Sequence, residues 1–405
     1  MELEEQKELI DKVAKENGFS NYQVISNAGS SKGDNFLGII NAITVKNSDK
    51  TLNLILKSAN TNEAFRNAAP LHEMYSREIY LYEQVFVEFK KFQDKHNIVD
   101  QFVSIPKAYI CSAEVSKEAL LMENLKTEGY KLWNKKNPMN PGHIKEVLKE
   151  YAKFHAISLA MKDKCPEKFN NLTSKVYDII FDDNLDVNDE EKLQKFITSV
   201  MSNGYEAVSG DAELTDCLKN VEGKIVNILS KVFKDEKYKL VLTHGDCWCN
   251  NFLFKYEDPE NIENPCSLRI LDWQLSALST PALDISYFFI VNSSKEVFDD
   301  YKTYLKLYRD TVSTQLLNFG CDPQKLFPYS LFEEHLEVMF PFGLYMSLIV
   351  TKVMVSEPDE APDLEKISEN DGDLTNSMNF SVKNKAEYNR RVRGVILFLK
   401  GNKYI

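Results

Sequence analysis

Hydrophobic and polar positions change their spacing along the chain. In the opening stretch MELEEQKELIDKVAKENGF, Leu3, Ile10, Val13 and Phe19 share a helical face, and Gly18 marks the stop. From 22 to 58 the pattern becomes that of strands: YQVISNA, FLGIINAITVK and TLNLILKSA, separated by the turn clusters GSSKGDN and NSDK, predict an antiparallel arrangement. A helical stretch over roughly 73–95, EMYSREIYLYEQVFVEFKKFQDK, follows, and then two more strands around KAYICSA and ALLMENL. Residues 1–125 thus predict a small five-stranded lobe with one packed helix.

Beyond about residue 140 the helical period dominates, in PGHIKEVLKEYAKFHAISLAMKD, DEEKLQKFITSVMSNGY and ELTDCLKNVEGKIVNILSKVF, with Pro141 and Asp189 as helix starts. Short apolar runs, KLVLTH, NNFLFKY and SLRILDW, interrupt it, and further helices fill 295–320 and 331–355. The segment 356–376 carries eight acids against one lysine, together with two prolines, and reads as a solvated loop. Residues 126–405 are therefore expected to form a second, larger and mainly helical lobe.

Composition narrows the functional classes. A chain of 405 residues, 43% apolar and 11% aromatic, is long enough for two lobes with a substantial core. No run of about 18 apolar residues is present, and MELEEQKELI is acidic where a secretory leader is basic and then apolar, so the expected location is cytoplasmic, with no membrane partner. The net charge of −12 opposes nucleic acid and anionic membranes while leaving small anionic ligands possible. Seven cysteines, an odd number scattered over a long chain, are expected to be free thiols.

The chemistry concentrates in THGDCWCNN, residues 243–251, and LDWQ, which begins at 271. His244, Cys247 and Cys249 suggest zinc, but a structural site takes four ligands as two separated pairs and no second pair follows. A Cys–His nucleophile lacks an orienting third group and the strand–turn–helix setting of a nucleophile elbow. The remaining reading uses oxygen ligands. Asp246, Asn251 and Asp272, each near the end of an apolar run, suit Mg²⁺ and the roles of phosphoryl transfer. The first Asp orients the acceptor hydroxyl, while the Asn and the later Asp hold the metal between the transferring phosphates.

HGDCWCNNFLF followed by ILDWQ resembles the catalytic and metal loops of kinase-like phosphotransferases related to aminoglycoside and choline kinases. Trp248, the pair Asn250–Asn251 and Gln274 resemble most closely the ecdysteroid kinase-like (CHK kinase-like) family. The resemblance runs over roughly 25–345, with 165–238 similar only in outline. It implies an α+β, two-lobed protein-kinase-like fold, ATP and Mg²⁺ as cofactors, and phosphorylation of a hydroxyl on a small-molecule acceptor. It also implies roles elsewhere. GSSKGDNF, with Gly29 and Gly33, stands where a phosphate-covering loop belongs, although a plain hairpin also explains two glycines. Lys57, the charged residue in LILKSA, stands where a phosphate-contacting lysine belongs, with a lysine ending an edge strand as the alternative. Its helix partner is Glu78, with Glu83 competing on the same helix. LLMENL, 120–125, is the expected hinge, which makes Glu123 an adenine-site candidate by position. His155 is expected in the core, and His244 as a brace of the catalytic loop. Cys247 and Cys249 are expected as packing residues, with Trp248 packing the loop or walling the acceptor site. Asp284, in TPALDISYF, resembles a buried acceptor of hydrogen bonds from the catalytic loop, a helix cap being the alternative.

Only 12 residues separate Asp272 from Asp284, and EAPD at 360 lies in the wrong place for an activation segment, so no protein substrate is expected. The long stretch from Leu125 to His244 leaves room for helices that shape a small-substrate pocket. The family resemblance implies a steroid hormone or a foreign metabolite as acceptor. A choline- or ethanolamine-type kinase, and a catalytically silent ligand-binding protein on the same fold, remain alternatives.

Overall fold

The computed structural model describes residues 3–29, 38–179, 190–230, 232–360 and 380–405. Helix α1 (Leu3–Glu16) precedes β1 (Gln23–Ala28), β2 (Gly38–Lys46) and β3 (Thr51–Ala59). A short helix α2 (Glu63–Ala68), absent from the sequence expectation, leads into α3 (Leu71–Tyr80), a π-helical turn (Leu81–Val85) and α4 (Phe86–Lys95). The single helix expected over 73–95 thus has a wide turn in its middle, a feature often found at functional sites. Strands β4 (Ala108–Ser112) and β5 (Ala119–Glu123) complete one antiparallel sheet in the order β1-β2-β3-β5-β4.

The two-residue alternation of these strands decides what reaches the site. Ile43 and Val45 of β2, Leu54 and Leu56 of β3 and Leu121 of β5 turn to one face and bury Ile10, Val13 and Ala14 of α1. Their neighbours Ile40, Ile55, Lys57 and Met122 line a cleft on the opposite face.

After β6 (Lys131–Leu132) the large lobe begins with α5 (Pro141–Lys164), where Pro141 holds the first turn and the Asn140 side chain accepts the His143 N–H at 3.1 Å. Helices α6 (Pro166–Thr173), α7 (Glu190–Ala207) and α8 (Ala212–Ser230) follow; Asp189, the expected start of α7, lies outside the described residues. Strands β7 (Val241–Leu242), β8 (Phe252–Lys255), β9 (Ser267–Ile270) and β10 (Leu278–Ser279) flank the two chemical motifs, with β6, β8 and β9 in one sheet and β7 paired to β10. Then come α9 (Pro281–Asn292), α10 (Lys295–Asp299), α11 (Tyr301–Asn318), α12 (Pro323–Leu326), α13 (Tyr329–Val355) and α14 (Lys385–Gly401). Of the acidic segment 356–376, residues 361–376 lie outside the described residues.

Helix α9 is buried along its whole length, so it has no polar stripe to betray it in the sequence. It packs closely on α13, where a Cβ at Gly343 would stand 2.6 Å from the Ser286 carbonyl oxygen. Among the described residues, one stretch, 323–355, is long and apolar enough to cross a membrane, and 78% of its apolar window is buried inside the protein. That stretch, mostly α13, is a core helix of the large lobe.

Candidate active site

Lys57 leaves β3 on the cleft face and bridges the lobes. Its ammonium donates to Glu78 Oε2 of α3 at 2.6 Å and to Asp272 Oδ1 at 2.8 Å. Glu83, the competing candidate, is exposed. Burial alone would lower the lysine, but the Asp272 and Glu78 carboxylates outweigh it and hold Lys57 above its ordinary value. Burial pushes the Glu78 carboxyl upward, and the ammonium of Lys57 pulls against it. Asp272 adopts φ +60°, a left-handed conformation that Asp tolerates better than most residues. The turn sends the Trp273 N–H toward Glu78 Oε1 at 3.4 Å, and the Leu271 N–H bonds the Asn251 carbonyl at 2.9 Å.

Trp273 anchors this loop. Its fully buried ring meets Phe86 of α4 at 4.9 Å, Phe154 of α5 at 5.0 Å and His244 at 4.7 Å, so the metal loop, the small-lobe helix and the catalytic loop share one aromatic contact set. Arg77, next to Glu78, adds a second strut by donating to the Ser276 carbonyl oxygen.

The catalytic loop is held from below by α9. Asp284, fully buried, accepts the His244 N–H at 2.7 Å, the Gly245 N–H at 2.9 Å and the Cys247 thiol at 3.3 Å, and contacts His155 Nε2 at 3.1 Å. The cap of α9 is Thr280, whose side chain accepts the Ala282 N–H, so Asp284 is not the helix cap. Gly245 has φ +86°, and a Cβ there would lie 2.3 Å from the Leu275 carbonyl oxygen, which restricts this position to glycine.

His244 Nδ1 accepts the Asp246 N–H at 3.2 Å, which places its hydrogen on Nε2, donated to the Leu271 carbonyl at 2.8 Å. Both ring nitrogens are committed to bracing. Asp246 receives the Tyr287 hydroxyl on Oδ1 at 2.9 Å and the Asn251 carboxamide on Oδ2 at 2.8 Å. Burial, then the Asp272 carboxylate, raise the Asp246 carboxyl, while the hydrogen bonds from Tyr287 and Asn251 oppose the rise.

Between the lobes lies an open cleft of about 880 Å³ lined by apolar walls, including Ile40, Ile55, Met122 and Leu253, with Lys57, Asn251 and Asp272 along it. Glu123 lines it too, but its carboxylate turns back to accept the Lys107 N–H at 2.9 Å. Gly29 lies at the mouth, where its carbonyl accepts Lys126 Nζ at 2.9 Å; Gly33 lies outside the described residues. Among the described residues no group of three or more His, Cys, Asp or Glu side chains gathers as a metal site. Cys247 and Cys249 are buried packing residues whose thiols burial pushes up, Cys249 to about 12, and Trp248 is buried. Tyr287 escaped the sequence reading because an aromatic residue in an apolar run looks like core. Its spacing, three residues beyond Asp284 on a helix, was the available signal. Arg77 also went unremarked in the sequence, where nothing sets one arginine on a charged helix apart.

The two lobes, the cleft between them and the loops that bring Asp246, Asn251 and Asp272 to it define a phosphotransferase of protein-kinase-like architecture. The model of the ecdysteroid kinase-like family (EcKL) matches residues 32–320, somewhat less than the span of 25–345 read from the motifs, and the chain belongs to that family. It is an ATP-dependent small-molecule phosphotransferase. No curated protein matches the chain. Among solved structures, it is similar to a mutant aminoglycoside 2'-phosphotransferase-IIIa in complex with GDP, at 13% identity and TM-score 0.44 over 90% of this chain and 97% of that one. It is similar also to the spectinomycin phosphotransferase APH(9)-Ia with ADP and spectinomycin, at 12% identity and TM-score 0.35 over 82% and 97%. The ADP-bound aminoglycoside phosphotransferase APH(2'')-Ib shows 14% identity and TM-score 0.35 over 84% and 99%.

Proposed function

We propose that the protein transfers the γ-phosphoryl group of ATP to a hydroxyl of a low-molecular-weight acceptor, an ecdysteroid or a foreign metabolite, with Asp246 as the residue that accepts the hydroxyl proton. The observation that carries this reading is the pairing of Lys57 with both Glu78 and Asp272 in the cleft that Asn251 also lines, with Asn251 in turn bonded to Asp246. Residues 1–125 serve as the nucleotide lobe and 126–405 carry the acceptor and the transfer chemistry. The family description supports the acceptor class, and seven free cysteines support a cytoplasmic setting.

Asn251 uses its Nδ2 on Asp246, which leaves Oδ1 as an oxygen ligand, and Asp272 has Oδ2 outside its bridge to Lys57. This all-oxygen pair fits Mg²⁺, which keeps waters and phosphate oxygens as its other ligands. Held by Asn251 and Asp272, the ion would supply positive charge against the phosphates during transfer. Lys57, oriented by Glu78, meets the phosphate oxygens. Tyr287 and Asn251 fix the plane of the Asp246 carboxylate, so an acceptor hydroxyl that enters beside it finds a proton acceptor already in position. His244 and Asp284 hold the loop and take no proton. Hinge backbone around Glu123 reads the base, and Gly29 brings backbone near the phosphates.

The test is phosphate transfer from ATP with a panel of ecdysteroids, plant-derived hydroxylated metabolites and choline. Asp246→Asn should lose at least about 100-fold in turnover while binding ATP as before. Turnover retained by this variant would remove Asp246 from its role, and transfer to choline alone would replace the acceptor class.

A further inference from the structure

Among the buried side-chain atoms of the described residues that have no hydrogen-bond partner, two, Tyr82 Oη and Asn250 Nδ2, belong to residues that line the cleft. Tyr82 is 8% exposed and lies one helical turn beyond Glu78, in the π-helical turn between α3 and α4. Its ring packs edge-on against Phe86 at 5.5 Å, which fixes the side chain from the core side. Burial holds the hydroxyl well above its ordinary value, so it is a neutral donor and acceptor throughout the physiological range. An unpaired hydroxyl in such a place weakens the free protein, and phenylalanine would fill the same space without that penalty. The apolar surfaces of Ile40, Ile55, Met122 and Leu253 on the same cleft form walls suited to a flat base. A buried hydroxyl that is unsatisfied in the free protein, on a residue that lines a ligand site, is explained by the ligand that satisfies it.

We propose that Tyr82 is a nucleotide-binding residue whose hydroxyl forms a hydrogen bond, directly or through one water, with the polar edge of the purine base. The inference rests on the cleft being the nucleotide site and adds a side-chain contact to a base otherwise read by backbone groups. Asn250, which also lines the cleft, carries a second unsatisfied donor from the large lobe.

The test uses Tyr82→Phe in the full-length protein, with affinities for ATP, purine riboside triphosphate and inorganic tripolyphosphate measured by calorimetry, and thermal unfolding measured without ligand. The variant should bind ATP about fivefold more weakly, bind tripolyphosphate as the wild type does, and unfold at the same or a higher temperature. Purine riboside triphosphate, which lacks the exocyclic amine, identifies the atom. Loss of the wild-type advantage with this nucleotide assigns the contact to the amine; an unchanged advantage assigns it to a ring nitrogen. Equal ATP affinity in wild type and variant overturns the proposal, as does equal weakening of ATP and tripolyphosphate. Failure of the wild type to bind any nucleotide would instead strike the assignment of the cleft itself, so the two failures are separable.

Discussion

Asp284→Ala removes the acceptor on which the catalytic loop rests. Four groups lose their partner, the N–H groups of His244 and Gly245 at 2.7 and 2.9 Å, the Cys247 thiol at 3.3 Å and His155 Nε2 at 3.1 Å, in a place from which water is excluded. Each buried backbone donor left unsatisfied costs roughly 1–3 kcal/mol, and partial relaxation recovers some of it, so the expected loss is about 3–5 kcal/mol. The pH dependence has a definite sign. Burial pushes the Asp284 carboxyl up, but the hydrogen bonds from the His155 ring and from the His244 backbone N–H together hold it below the ordinary range. A carboxylate lowered in the folded state contributes stability that is complete above its unfolded value, near 4, and is lost as the pH falls through the folded value. Urea unfolding of wild type and variant at pH 7 and through the range below 4 should show the gap wide at neutrality and narrowing in acid. Turnover, measured where the variant remains folded, should fall as well, because the same loop presents Asp246. An unfolding free energy within about 1 kcal/mol of wild type at pH 7 would refute the reasoning, since the measured effect would then be that of an ordinary surface substitution.

Two further substitutions separate binding from chemistry. Lys57→Met leaves Glu78 and Asp272 facing each other without the cation between them, and turnover should drop by at least about 100-fold in a phosphate-transfer assay. Tyr287→Phe keeps the shape of α9 but removes the 2.9 Å hydrogen bond to Asp246 Oδ1. Steady-state kinetics should show kcat reduced about tenfold or more, with KM for ATP and the unfolding temperature unchanged.

The parts of the molecule that were legible in the sequence are those with a contrast between buried and exposed positions. In β3 the alternation of Leu54 and Leu56 with Ile55 and Lys57 marks two faces, and a lone charge among apolar neighbours draws attention to Lys57. Asp246, Asn251 and Asp272 were visible because polar residues stand at the ends of apolar runs. Helix α9 offered no such contrast. PALDISYFFIVN is buried throughout, so periodicity could not expose it, and Tyr287 passed for core. The pairs β6–β8 and β7–β10 are too short to leave a pattern, being fixed by neighbours distant in sequence. Glu123 shows the limit of naming a residue by position. Its carboxylate accepts the Lys107 N–H, which leaves the backbone of LLMENL, the group the sequence reading chose, as the candidate for reading the base.

The bridge between Lys57 and Asp272 makes a further claim about how charge is shared in the cleft. In the absence of ligand one ammonium satisfies two carboxylates, Glu78 at 2.6 Å and Asp272 at 2.8 Å. An incoming triphosphate competes with Asp272 for that ammonium and is repelled by its carboxylate. Two unit charges about 5 Å apart at an effective dielectric constant of about 20 interact by roughly 3 kcal/mol, so the repulsion is large enough to measure. Asp272→Asn removes the repulsion, keeps the side-chain size and leaves Lys57 paired with Glu78 alone. ATP measured by calorimetry without divalent ions should therefore bind the variant at least as tightly as the wild type. Added Mg²⁺ should tighten ATP binding to the wild type but give the variant a much smaller gain, because one of the two oxygen ligands has lost its charge. A variant that gains as much from Mg²⁺ as the wild type would show that Asp272 does not hold the ion. One that binds metal-free ATP much more weakly would show that Asp272 serves to position Lys57 rather than to compete with the phosphates for it.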